Sequence, residues 1–171
     1  MTEAFARIYL DSNIVISLFT ADRGPEVARV LADMIGAVRP SSRQPFATSE
    51  LTLSECLVRA MRIGSSDDAQ SIDNIIMTND WLEVGPVDRQ VLMWAAATRS
   101  SYAHLKLPDA IHVATAIQMQ CTHILSADTG IRDVYVLKAP PWNPGPDSLP
   151  LRVLRPDPET LRAIIAWLEG R

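Results

Sequence analysis

Four acidic residues, Asp11, Glu55, Asp109 and Asp128, sit in local contexts where carboxylates could do chemistry. Asp11 directly follows the β-prone run Arg7-Ile8-Tyr9-Leu10, and Asp128 follows a similar run, His123-Ile124-Leu125-Ser126. Open α/β sheets bind their ligands beyond the carboxyl ends of the strands, which is where both acids would stand. Leu51, Glu55 and Val58 share one face of a helix by i, i+4, i+7 spacing, so Glu55 is a carboxylate on an apolar stripe. Such a group needs a partner, because burying it unpaired is costly. Asp109 stands in the first turn of the helix that opens at Leu107-Pro108.

Each acid also has an ordinary structural explanation. Asp11 can cap a helix, Asp128 can turn the chain in Ala127-Asp128-Thr129-Gly130, Glu55 can pair with Arg59 or Arg62, and Asp109 can answer a helix dipole. Brought together, they could not all stay charged unaided, since two like charges 4 Å apart repel by about 4 kcal/mol at intermediate dielectric. A cluster of this kind implies a counter-cation or raised pKa values. Oxygen-only donors favour Mg²⁺ or Mn²⁺ over zinc.

The elements that would have to position these acids alternate along the chain. Strands are expected at Arg7–Leu10, Pro45–Thr48, Trp81–Val84, His123–Ser126 and Leu151–Leu154. Helices are expected after Asp11, from Gly24-Pro25, from about Ser49 to Ile63, from Ser66 to about Asn79, after Asp88, from Leu107, and from about Pro158 to Gly170. Strands alternating with helices imply an α/β layer fold with a parallel sheet. A proline-rich excursion from Ala139 to Pro150, containing Trp142, separates the last two strands and reads as a packed surface loop that could serve as a partner surface.

Composition sets broad bounds. The chain has 171 residues, 47% hydrophobic and 21% charged, which suits a single domain spanning residues 1–171 with a sizeable core. The formal net charge of -4 argues against a broad basic nucleic-acid surface, but a bound divalent ion would offset it locally. Cys56 and Cys121 lie among apolar residues and read as buried thiols. No apolar run is long enough to span a membrane, and the first residues do not form a secretory signal, so the reading is cytoplasmic.

The segments YLDSNIVISLF, TLSECLVR, LPDAIHVATAI and HILSADTGI, in this order and spacing, resemble the PIN domain, best known from VapC-type toxins of toxin–antitoxin pairs. The resemblance covers roughly Ile8 to Asp133 and the strand at LRVLRP. It implies a three-layer α/β/α PIN-like fold with a central, mostly parallel sheet of four to five strands. It implies that Asp11, Glu55, Asp109 and Asp128 bind metal, with Asp11 and Asp109 the expected direct ligands. Asn13 and Ser126 match positions that support these ligands or orient substrate. The implied activity is Mg²⁺-dependent (or Mn²⁺-dependent) endoribonucleolytic hydrolysis by water. The implied partners are an RNA substrate, a small antitoxin and a second copy in a homodimer. Lys106 and Arg132 flank the acid motifs and are candidate phosphate contacts. The excursion and the terminal helix depart from the family's usual shorter chain.

Other readings compete. A phosphatase or receiver-type phosphoryl-transfer domain also sets an Asp after its first strand. The phosphatase wants a second acid two residues on, where this chain has Asn13, and the receiver wants a paired acid before the first strand and a lysine late in the sheet, neither of which the expected strands supply. A non-catalytic PIN-like RNA-binding or scaffold protein would have lost acids that remain here. A metal-free ribonuclease would need two paired histidines, and His104, His112 and His123 give no pairing signal.

Overall fold

The computed structural model describes residues 5–20, 24–39, 43–132, 134–139 and 145–171. Five strands, β1 (Ile8–Leu10), β2 (Phe46–Ser49), β3 (Leu82–Gly85), β4 (His123–Leu125) and β5 (Arg152–Leu154), form one sheet in the order β3-β2-β1-β4-β5. All four strand pairings are parallel. The helices are α1 (Ser12–Phe19), α2 (Pro25–Gly36), α3 (Glu50–Ile63), α4 (Ser66–Ile75), α5 (Arg89–Ser101), α6 (Leu107–Gln118) and α7 (Pro158–Glu169).

The strands are short, and the central one, Ile8-Tyr9-Leu10, is wholly buried because both faces of the sheet are covered. Alternate side chains of β1 serve two cores. Ile8 and Leu10 join Phe46, Leu82 and Leu125 under α1, α2, α3, α4 and α7. Tyr9 joins Ala47 and Ile124 under α5 and α6. Helices on both sheet faces make the three-layer α/β/α arrangement expected from the alternating pattern. No helix among the described residues is long and apolar enough to cross a membrane.

Strand bounds shift by about one residue, β2 to Phe46–Ser49 and β3 to Leu82–Gly85 among them, and α4 is corrected at both ends. Ser65, not Ser66, caps α4, its hydroxyl accepting from the Asp68 N–H at 3.2 Å. That helix ends at Ile75 rather than near Asn79, because the Asn79 side chain accepts from the N–H groups of Trp81 and Leu82, both at 3.0 Å, and turns the chain into β3. The excursion lies partly outside the described residues, Trp142 included. Its described end is tied down: the Ser148 hydroxyl accepts from the Leu137 N–H at 2.9 Å, and Tyr135 bridges Leu151 in antiparallel fashion.

Gly64 ends α3 with φ +69, and open space surrounds the position a Cβ would take. An L side chain there meets only the left-handed backbone penalty. Gly64→Ala is expected to destabilise by about 1 kcal/mol. In a thermal melt this is a fall of about 2–4 °C, and an unchanged melt would show that the backbone relaxes out of the left-handed region.

Candidate functional site

The strand order reverses between β1 and β4, which lie side by side with Leu10 paired to Leu125. Chain connections leave such a pair in opposite directions, so a crevice opens beyond their carboxyl ends. Asp11 is the first residue past β1. Asp128 lies three residues past β4, on the loop that leaves the same edge. Two acids separated by more than a hundred residues are thereby placed on one rim.

Hydrogen bonds hold this rim together. Asp11 is 3% exposed and caps α1, its Oδ1 accepting from the Ser12 N–H at 2.8 Å. Its Oδ2 accepts from the Asn13 side-chain amide and from the Ser126 hydroxyl. The Ser126 oxygen in turn accepts from the Asp128 N–H at 3.0 Å. Asn13 completes the link, since its Oδ1 accepts from the Ala127 N–H at 2.9 Å. Asn13 and Ser126 therefore fasten the start of α1 to the loop after β4 and orient the Asp11 carboxylate.

Arg155, just past β5, braces that loop from the other side. Its guanidinium donates to the carbonyls of Ser126 (2.9 Å), Asp128 (2.7 Å) and Ile131 (2.6 Å). The sequence reading did not single it out, and only the adjacency of β5 to β4 could have.

Asp109 enters from the first turn of α6, where its Oδ2 accepts from the Lys106 N–H at 3.2 Å. Its pKa is raised above the usual carboxylate value, by burial first and then by the charges of Asp128 and Asp11, while the Lys106 N–H works the other way. A Cβ built on Gly130 would lie 3.1 Å from Asp128 Oδ1 and 3.5 Å from Asp109 Oδ2, so these two carboxylates face a common space.

Glu55 reaches the cluster from α3, and its partner is not Arg59 or Arg62. The His112 Nε2 stands 2.9 Å from Glu55 Oε2 and 3.6 Å from Asp11 Oδ1. Partial burial disfavours the charged Glu55, but the hydrogen bond and charge of His112, with help from Ser12, outweigh it and hold its pKa below the ordinary value. Arg59 instead lines a groove of about 260 Å³ between α1, α3 and α4, which none of the four acids lines. His112, weighed in the sequence only as one half of a histidine pair, meets two acids. It is 2% exposed and bonded through both ring nitrogens. The available signal was its i, i+3 spacing from Asp109, which puts both on one face of α6.

Lys106 and Arg132 are exposed beside Asp109 and Asp128. Both cysteines are buried, as expected, with thiol pKa values pushed up to about 12 by that burial, so neither is a ready nucleophile.

The donor set suits a hard divalent cation. Every acid offers oxygen, and the mutual repulsion at Asp109 is what a cation would relieve. Among the described residues no three acidic, histidine or cysteine side chains close on one point as they lie. Mg²⁺ binding does not require that, since this ion keeps several waters and takes one or two carboxylates directly. The repulsion has a measurable consequence. A carboxylate whose folded pKa is raised favours the fold below its unfolded pKa and loses that benefit as pH rises through the folded value. Asp109→Asn, which keeps an oxygen for the Lys106 N–H, is therefore expected to raise the melting temperature in EDTA at pH 7.5 by about 1–2 °C, a small gain because partial exposure screens the charges. The gain should vanish at pH 3. A lower melting temperature at pH 7.5 would overturn the repulsion argument.

A toxin–antitoxin complex from Klebsiella pneumoniae is similar in structure, with a TM-score of 0.53 and 26% identity over 72% of this chain and 88% of that one. VapC20 from Mycobacterium tuberculosis, described as a toxin that cleaves the sarcin-ricin loop, aligns with a TM-score of 0.57 and 16% identity over 71% of this chain and 90% of its own. VapBC2 from Rickettsia felis, solved on a fragment of its promoter DNA, aligns with a TM-score of 0.53 and 13% identity over 72% and 89%. None of the curated proteins compared matches the chain. The PIN domain family model matches residues 8–137. That match runs from the first residue of β1 past every acid of the cluster and takes in well over half of the sequence, and on that ground the chain belongs to the PIN-domain family.

Proposed function

We propose that this protein is a Mg²⁺- or Mn²⁺-dependent endoribonuclease and the toxin of a toxin–antitoxin pair. The observation that carries the reading is that Asp11 and Asp128 stand on one rim of the β1–β4 crevice, with Asp109 close enough that their charges, after burial, help to raise its pKa. Membership of the PIN-domain family and the likeness to VapC-type toxins support it.

In this reading Asp11 and Asp109 hold the cation directly, and Asp128 and Glu55 complete its surroundings. The cation would supply charge neutralisation at the phosphodiester and make water acidic enough to lose a proton near neutral pH. Asn13 and Ser126 keep Asp11 turned toward the crevice. Lys106 and Arg132, exposed at its rim, take phosphates of the RNA backbone. A carboxylate of the cluster orients the attacking water. In-line attack on phosphorus breaks the bond to O3′, leaving a 5′-phosphate and a 3′-hydroxyl. The ribose 2′-OH is not the nucleophile, so any preference for RNA comes from binding.

The expected partners are a small antitoxin and a second copy of the chain, consistent with the toxin–antitoxin complexes that share the fold. The test is cleavage of a single-stranded RNA by the purified protein. Cleavage is expected in excess Mg²⁺ and not in EDTA, and the fragments should be substrates for a ligase that needs 5′-phosphates. Undiminished cleavage in EDTA, or ends carrying a 2′,3′-cyclic phosphate, would refute the proposed chemistry.

A further inference from the structure

The function proposed above assigns nothing to His112, a buried histidine that faces two acids of the cluster. We propose that His112 is the positioning residue for Glu55, holding that carboxylate beside Asp11. This rests on the metal-dependent reading only for its catalytic consequence, not for the contact itself.

The geometry supplies the anchor and the reach. The His112 Nδ1 lies 2.8 Å from the Tyr9 hydroxyl, and the Tyr9 hydroxyl lies 2.8 Å from the Ser49 Oγ. Tyr9 is 0% exposed on β1, and Ser49 is 0% exposed at the end of β2. The imidazole is thus pinned on one side to β1 and, through Tyr9, to β2. Its other nitrogen, Nε2, meets Glu55 Oε2 at 2.9 Å. Glu55 is the acid of the four that comes from a helix interior, and its side chain is 31% exposed. Without a fixed partner, a long carboxylate side chain at that position has rotamers leading to solvent. A rigid ring bonded at both ends selects the one that leads to the cluster. Partners of this type, one step removed from a metal, commonly change metal affinity or activity by about 10–100-fold when replaced.

Two substitutions separate positioning from packing. In His112→Gln the side-chain amide reaches the place of Nε2 and can still meet Glu55. In His112→Asn the amide stands near Nδ1, keeps Tyr9 and falls short of Glu55. The contact itself is read by thermal melts of the full chain in EDTA. H112N, E55Q and the double variant are compared with the parent, and the double is expected to melt no lower than H112N alone. Additive losses would overturn the proposal whether or not the protein is a nuclease. The consequence is read by Mn²⁺ titration calorimetry and by RNA cleavage. H112N is expected to weaken Mn²⁺ binding and lower kcat by about tenfold with KM for RNA nearly unchanged, and H112Q to restore most of both. Equal losses in the two variants would indicate packing alone and overturn it. A parent protein that neither binds Mn²⁺ nor cuts RNA would instead refute the function proposed above, and the melts would still decide the His112–Glu55 contact.

Discussion

Asp11→Asn is expected to lower RNA cleavage by about a thousandfold while leaving the protein folded. Asp11 sits at the point where β1 ends and the crevice begins, and it accepts from Ser12, Asn13 and Ser126. Asparagine nearly preserves its shape but removes the charge a divalent cation needs. It also turns one acceptor into a donor. If the new amide takes the place of Oδ2, it meets the Asn13 amide, and if it takes the place of Oδ1, it meets the Ser12 N–H. Either way one hydrogen bond is lost, at about 1–3 kcal/mol. A domain with about 5–15 kcal/mol of stability absorbs that loss. Circular dichroism and a thermal melt establish that the variant is folded, and cleavage in Mg²⁺ reports its activity. A folded variant that still cuts RNA within about threefold of the parent would remove the basis for a metal site at this rim.

The second large effect concerns the support directly behind that residue. Leu10 is 0% exposed at the centre of the sheet, packed in the core with Ile14, Val15 and Leu125. Leu10→Ala removes apolar volume where β1 is flanked on both sides by strands, so the surroundings cannot collapse inward. The expected loss is about 3 kcal/mol, read as a lower urea midpoint at constant slope. Leu149→Ala is the control, because Leu149 is 81% exposed and should change stability by less than about 0.5 kcal/mol. Equal effects at the two positions would contradict the burial pattern of the sheet. Cleavage by the Leu10 variant at low temperature, where it remains folded, should approach that of the parent, which distinguishes a support from a ligand.

Much of the architecture is local and therefore legible in the chain itself. Caps such as Asp88 and Asp157 act on N–H groups three residues away, so local sequence alone marks where α5 and α7 begin. The apolar stretches Ile8-Tyr9-Leu10, Phe46-Ala47 and Ile124-Leu125 mark strands buried on both faces. Four motifs in order mark Asp11, Glu55, Asp109 and Asp128 as a candidate set. What the sequence could not supply is everything that depends on which strands lie side by side. The order β3-β2-β1-β4-β5 puts Asp11 next to the loop of Asp128, lets Ser126 and Asn13 tie the two together, and brings Arg155 from β5 to brace that loop. Packing α6 on one face of the same sheet turns His112 toward Tyr9 and Glu55, where nearer arginines had seemed the obvious partners. Residue types and short spacings determine which groups are available. Pairing across more than a hundred residues decides which of them meet, because those contacts form only once the two sheet faces are buried.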